Sequence, residues 1–317
     1  MHPSTTPRGK LVVAHPERKA QRALQRMVGA TLCSVEVVDN LEALLERVDE
    51  DTIAIVDVGL AQMRPNLRAT RARAWIAVPG EGLAPADSNV VDALLTAGWA
   101  HVVAQPMPLL AEELLATVQK LLRTDVFGLE KYVAWGAEVQ SYTLENARDR
   151  EAAVATITRD VIAVGLTERM GSLVSVIVDE LVANALYVAP VTESGLRFRS
   201  AEPREQSRAL TGRDKVTVRW ATDARYLAIE VRDLWGSLEA ATIAGRLAKG
   251  GNSTVAGEGG MGLPLAYACC TQFVIDCAPK ELTEVIALLD VRYKPTELGR
   301  SVSFHAFVGP PPLGDAS

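Results

Sequence analysis

Glu180 and Asn184 stand four residues apart in the otherwise apolar segment 174–188, putting a carboxylate and a carboxamide on one line of a helix. Val174, Val178, Leu181, Ala185 and Val188 form one buried stripe at helical spacing, and a second line runs from Leu173 and Ile177 to Glu180 and Asn184. Polar groups on an inward line cost free energy unless they find partners, and a hydrated, oxygen-seeking Mg²⁺ supplies them. Taken alone, the spacing also fits a solvated helix face. Downstream, Asp233 closes an apolar run and is followed by Leu234, Trp235 and Gly236. A third block, with glycines at 257, 259, 260 and 262, leads into an apolar helical stretch at 263–271. Glycines at a helix start let backbone N–H groups approach phosphates, and the helix dipole favours their charge. Neither turn is specific by itself, since Asp-x-x-Gly also marks ordinary turns.

The elements that must carry these residues follow from local pattern. Segments 215–221 and 225–232 alternate or run apolar around a short turn and predict a hairpin ending at Asp233. A weakly alternating strand is expected at 138–144, then a helix capped by Asn146 or Asp149 that runs to about Ala163. Gly165 breaks it, and Thr167 opens the helix that carries Glu180 and Asn184. Strands follow at 273–277, 285–291 and 301–308. Residues 250–256 read as a flexible lid, and Glu258 adds a negative charge beside it. Segment 189–214 is polar, mixed in charge and longer than the usual loop of about 4–6 residues, so it reads as a mobile surface insertion, with partner binding the alternative.

The order of the three blocks resembles the ATP-binding (GHKL) fold shared by gyrase, heat-shock chaperone ATPases, histidine kinases and anti-sigma-factor serine kinases. The resemblance implies ATP and Mg²⁺ as cofactors. It makes Asn184 the metal ligand and Glu180 the catalytic carboxylate that activates a hydroxyl or orients water. Asp233 then accepts a hydrogen bond from the adenine amino group, and Gly236, Gly257, Gly260 and Gly262 seat the nucleotide. The family carries glycine two positions after the aspartate, where this chain has Trp235; an indole there could stack on adenine or crowd it out. The chain has four histidines, at 2, 15, 101 and 305, so none lies where a histidine kinase carries its phosphorylated histidine. Histidine autokinase activity is excluded. A strand, one helix and then the Glu/Asn helix is instead similar to the anti-sigma-factor class.

In the first third, apolar runs at 11–14, 33–38, 52–56, 75–78 and 101–104 alternate with amphipathic stretches at 17–28, 41–48, 87–97 and 109–122. That pattern predicts a doubly wound (βα)5 unit around a parallel sheet. It resembles a response-regulator receiver domain, with Asp57 at the phosphoacceptor position. The receiver's acidic pair is replaced by Ala14 and His15, its lysine by Gln105, and its hydroxyl residue by the sequence Ala77, Val78, Pro79. Phosphoryl transfer needs cations to offset the moving charge. The expectation is therefore a pseudo-receiver used for docking, with His15 and His101 structural; phosphorylation at Asp57 is the alternative.

The expected fold class is α/β: a receiver-like domain at 1–123, a linker at 124–136, an α/β-sandwich ATP-binding domain at 137–310 and a tail at 311–317. The aromatic-rich segment 127–136 is expected to pack between domains or against a partner. A hydrophobic content of 48% with 23% charged residues is globular composition. A net charge of −6 and a pI near 5.4 argue against a nucleic-acid surface. The four cysteines lack metal-ligand spacing and read as reduced. The polar N-terminus is neither signal peptide nor anchor, and no segment is expected to span a bilayer, so a cytoplasmic location is expected. The function implied is signal transduction by an ATP/Mg²⁺-binding protein, with a serine/threonine kinase of the anti-sigma-factor type as its enzymatic form. The alternatives are a non-catalytic, nucleotide-gated or degenerate scaffold, and a response regulator acting through Asp57. Regulatory proteins of unspecified identity are the expected partners, and a homodimer is an allowed assembly.

Overall fold

The computed structural model describes residues 9–64, 66–67, 70–204, 206–248, 262–292 and 301–312. The chain is mixed α/β and divides into two compact units, Met1–Val126 with Gly299–His305, and Phe127–Leu298 with Ala306–Ser317. The second unit begins at Phe127.

The first unit alternates β1 (Lys10–Ala14), α1 (Arg18–Gly29), β2 (Ser34–Val38), α2 (Leu41–Leu45), β3 (Thr52–Asp57), α3 (Val58–Met63), β4 (Ala74–Val78), α4 (Ser88–Thr96), β5 (His101–Val102) and α5 (Leu109–Arg123). The strands lie in the order β2-β1-β3-β4-β5, all parallel. β2 and β3 both pair with β1, one on each side. Leu11 and Val13 point to one face and Val12 and Ala14 to the other, and all four are fully buried, so both faces are covered. On one face, Ala20, Leu24 and Val28 of α1 and Leu110, Leu114 and Val118 of α5 close over Leu11, Val13, Ile53, Ile55 and Ile76. Asn40 and Asp87 cap α2 and α4 through their side-chain oxygens. The six-residue α3 was not anticipated; its N-cap is Asp57 itself. β5 is shorter than the apolar run, because the Ala104 N–H turns to the Ser303 hydroxyl (2.8 Å). Ser303 opens β11 (Ser303–Val308), whose Phe304 and His305 pair antiparallel with Val102 and His101.

The second unit contains β6 (Val139–Leu144), α6 (Arg150–Ala163), α7 (Glu168–Ala183), β7 (Val216–Thr222), β8 (Tyr226–Asp233), α8 (Ala240–Ala248), α9 (Gly262–Ala268), β9 (Gln272–Ala278) and β10 (Leu282–Asp290). Its sheet is antiparallel in the order β9-β10-β8-β7-β6. Asn146 and Asp149 form a reciprocal capping box ahead of α6, and Thr167 caps α7 by accepting from Met170 N. α6 and α7 pack together, and α7 lies on β7 and β8. Of the anticipated stripe, Val174, Val178, Leu181 and Ala185 are at most 5% exposed, while Val188 is only part-buried; Ile177, on the other line, is fully buried. Within the helix Glu168–Val188, an 18-residue stretch has a mean hydropathy of 1.5, enough by length and composition to cross a membrane, which the sequence did not lead us to expect. It is packed into the unit, with 56% of that stretch buried, as a core helix is.

The other side of the β7–β8–β10 ladder carries Glu230 and Glu284, both wholly buried. Glu284 accepts from Gly128 N (2.8 Å) and Arg232 Nε (2.7 Å), and Glu230 from Leu129 N (2.9 Å) and Arg219. Burial, reinforced by the neighbouring Glu284, pushes the Glu230 carboxyl up to about 7, against the pull of Arg232 and Arg219. Phe127 and Leu129 are buried, while Trp135 is fully exposed.

Segment 189–214 departs from the expected mobile insertion. Arg199 clasps Asp214 through two hydrogen bonds (2.6 and 2.7 Å), and Arg208 pairs with Glu202. Leu210 N donates to Glu145 O (2.8 Å), and Asn146 bridges to Ser207 and Arg208. Composition alone marks such a stretch as solvated; its arginine–carboxylate pairs are legible only in three dimensions.

Candidate functional site

α7 ends at Ala183, and Asn184–Val188 forms a single π-helical turn. Such a turn inserts one residue into the helical register and often marks functional positions. The Asn184 side chain donates from Nδ2 to Glu180 O (2.8 Å), which commits the amide nitrogen and leaves Oδ1 as an acceptor. Glu180 is half-buried; burial first, then the charge of Asp179, raises its carboxyl pKa, against Arg204 and Arg150. Asp179 itself is clasped by Arg150 (2.6 and 2.9 Å), so the two adjacent carboxylates face different partners.

Asp233 closes β8 opposite Val216 of β7 and Thr283 of β10. It is 5% exposed, and burial pushes its carboxyl up to about 7, opposed by the Trp235 N–H, which donates to Oδ1 (2.9 Å), by Thr283, by the Gly236 N–H and by Arg213. The Thr283 hydroxyl favours the ionised form from across the ladder, yet makes no hydrogen bond of normal geometry. Gly236 adopts φ +55°, and a Cβ there would collide with Ala278 O and stand 2.6 Å from the Lys280 and Glu281 nitrogens. Only glycine fits that turn.

A cavity of about 1240 Å³ joins these elements. Asn184 and Ala185 line one wall, Asp233, Trp235 and Gly236 another, and Leu263 and Pro264 at the start of α9 a third. Ligand cavities typically measure ~300–1000 Å³, so the space admits a nucleotide-sized molecule. Trp235 stands in the wall without filling the space. Its ring meets Phe198 edge-on (centroids 6.0 Å apart) and lies 4.6 Å from the Arg213 guanidinium. Glu180 precedes Asn184 by one helical turn, and a Cβ on Gly262 would overlap its carboxylate. Five of the expected site residues, Glu180, Asn184, Asp233, Gly236 and Gly262, thus come from separate segments to one region of the second unit. Gly257 and Gly260, with the 250–256 lid and Glu258, lie outside the described residues.

Asp57 sits apart in the first unit, at the carboxyl end of β3. It is 5% exposed, accepts from Leu60 N (2.9 Å) as the cap of α3, and faces His15 Nε2 at 3.6 Å. His15 Nδ1 accepts from Glu17 N (3.0 Å), so its proton lies on Nε2, toward Gly80 O (3.3 Å) and Asp57. The imidazole is fully buried.

Thr283, Arg213 and Lys280 were not singled out from sequence. Thr283 is a lone hydroxyl in the apolar β10 run, and only the strand register sets it opposite Asp233. Among the described residues no group of three or more His, Cys, Asp or Glu side chains is arranged to hold a metal. No family model and no curated protein matches the sequence.

Proposed function

We propose that the second unit binds a magnesium-chelated adenine nucleotide in the cavity between α7, the end of β8 and the start of α9. The observation that carries this is the convergence of Asn184, Asp233 and Gly236 on one cavity, with Gly262 against Glu180 at its edge. Several features fit such a ligand. Gly236 brings backbone to a position that any side chain would block, and Gly262 packs against the end of the Glu180 side chain. Asn184 contributes one neutral oxygen, suited to an ion that takes its other ligands from phosphates and water, as Mg²⁺ does.

In this reading Asp233 accepts the hydrogen bond of the adenine amino group, and Trp235 flanks the base. The N-terminus of α9 directs its N–H groups to phosphate oxygens. Bound Mg-ATP supplies the phosphoryl group, its charge offset by the metal. Glu180, its carboxyl raised by burial, holds the position from which a base takes a proton from a hydroxyl or orients water. The chain then acts as a signal-transduction protein, with serine/threonine kinase activity of the anti-sigma-factor type as its chemistry. The first unit serves as a docking module for a regulatory protein; the commitment of Asp57 to a helix cap and to His15 supports docking over phosphoacceptance.

A second reading, a non-catalytic nucleotide-gated scaffold, is favoured by Trp235 standing where the resembled family has glycine. The deciding experiment is calorimetric titration of the full chain with Mg-ATP, wild type against Asn184→Ala. Loss of Mg²⁺-dependent binding in the variant is expected, and unchanged binding would remove the site. Labelled ATP incubated with a partner-containing lysate then separates kinase from scaffold by transfer to serine or threonine.

A further inference from the structure

The 189–214 insertion touches both walls of the cavity. At one end, Tyr187 Oη donates to Arg204 O (3.0 Å) and Arg208 Nη2 donates to Leu186 O (3.3 Å), tying the insertion to the π turn that begins at Asn184. At the other, Arg213 donates from Nε to Leu234 O (3.1 Å) and from Nη2 to Trp235 O (3.4 Å) and Lys280 O (2.8 Å). Those three carbonyls belong to two different turns, the one after β8 and the one between β9 and β10. Lys280 N in turn donates to Gly236 O (3.0 Å), so both turns close on each other under one guanidinium. The same guanidinium stacks on Trp235, and Arg199, locked to Asp214, lies 4.9 Å from the Phe198 ring that meets Trp235 edge-on. Arg213, Trp235, Gly236 and Lys280 all line the cavity.

We propose that the insertion is a brace that sets the spacing between the Asn184 wall and the Asp233 wall, with Arg213 as the positioning residue for the base end of the site. This rests on the nucleotide reading above. A planar fork reaching three acceptors while stacked on an indole is a task for arginine, since lysine keeps the charge and loses the geometry. Loss of the fork lets the Trp235 turn and the Lys280 turn separate, so the base is held less tightly and discriminated less well.

The test measures Mg-ATP and Mg-GTP binding by calorimetry on the full chain for wild type, Arg213→Ala and Arg213→Lys, with melting temperatures in the absence of ligand. The expected result is Mg-ATP affinity weakened about tenfold or more in both variants, the scale of losing hydrogen bonds to a charged donor. A narrowed preference for ATP over GTP should accompany it, which a merely stabilising role would not produce. If Arg213→Ala fails to fold, Arg213→Lys carries the same comparison. Wild-type affinity and wild-type base preference in a folded Arg213→Lys would overturn the brace while leaving the nucleotide site standing. No nucleotide binding by the wild type would overturn the site itself, and the brace with it.

Discussion

Gly262 lies against the Glu180 carboxylate with no space for a side chain between them. The first residue of α9 thereby packs against a residue of α7, and the two helices meet at the Glu180 carboxylate. Replacing a helical glycine with alanine ordinarily stabilises by about 0.5–1 kcal/mol. Here the overlap opposes that gain: with the Glu180 carboxylate held in place, Gly262→Ala is expected to cost about 1–3 kcal/mol, the range for overpacking, and a carboxylate that swings aside relieves the cost. Urea denaturation gives the answer, and a variant as stable as wild type would show that Glu180 moves aside freely.

The buried Glu113–His305 contact in the first unit makes stability depend on pH. His305 Nε2 lies 2.7 Å from Glu113 Oε1; burial pushes Glu113 up to about 8 and holds His305 down to about 3, so the pair is a neutral hydrogen bond. The folded chain keeps a proton on Glu113 that the unfolded chain releases near its ordinary carboxylate range. Stability from Glu113 alone is full below about pH 4 and falls as pH rises to about 8, while His305, held down to about 3, acts with the opposite sign below about pH 6.5, so the pair's net loss falls between about pH 6.5 and 8. Asp233 and Glu230, both raised to about 7, add to the decline with rising pH. Glu113→Gln keeps a neutral donor toward His305, so its denaturation midpoints should decline less between pH 5 and 9. At pH 9 the gain over wild type should be on the order of 1–4 kcal/mol; parallel pH profiles would place the proton elsewhere.

Asp57 behaves as a structural cap. Asp57→Ala should lower stability by about 1 kcal/mol through loss of the α3 cap, while Asp57→Asn, itself a good N-cap, should nearly preserve it. Wild-type protein treated with acetyl phosphate and Mg²⁺ should gain no phosphoryl mass by intact mass spectrometry. An adduct abolished by Asp57→Ala would restore the response-regulator reading.

Much of this architecture was written in local pattern. The five apolar runs of the first third all became strands, because buried parallel strands are continuous apolar stretches. The Asn146, Asp149 and Thr167 caps and the hairpin before Asp233 were legible for the same local reason. What escaped depends on partners distant in sequence. The insertion reads as solvated because its arginines and acids look alike whether paired or free, and the pairing of Arg199 with Asp214 is a three-dimensional fact. Thr283 acquires meaning only from the register that sets it across from Asp233. The short α3 hides in six residues that include a glycine, below the length at which periodicity speaks.

The two buried glutamates under the β8–β10 ladder reach for amide protons, not for side chains, at 128 and 129. A grip of that kind is indifferent to what residue 129 carries, so most replacements of Leu129 should loosen local packing yet leave the attachment in place. Proline is the exception, since it removes the very hydrogen being held. Residue 128 is bound by a second condition, because its φ of +114° belongs to glycine. Sequence drift along this stretch is thus filtered by backbone chemistry, and a glycine followed by any residue but proline is the signature it would leave.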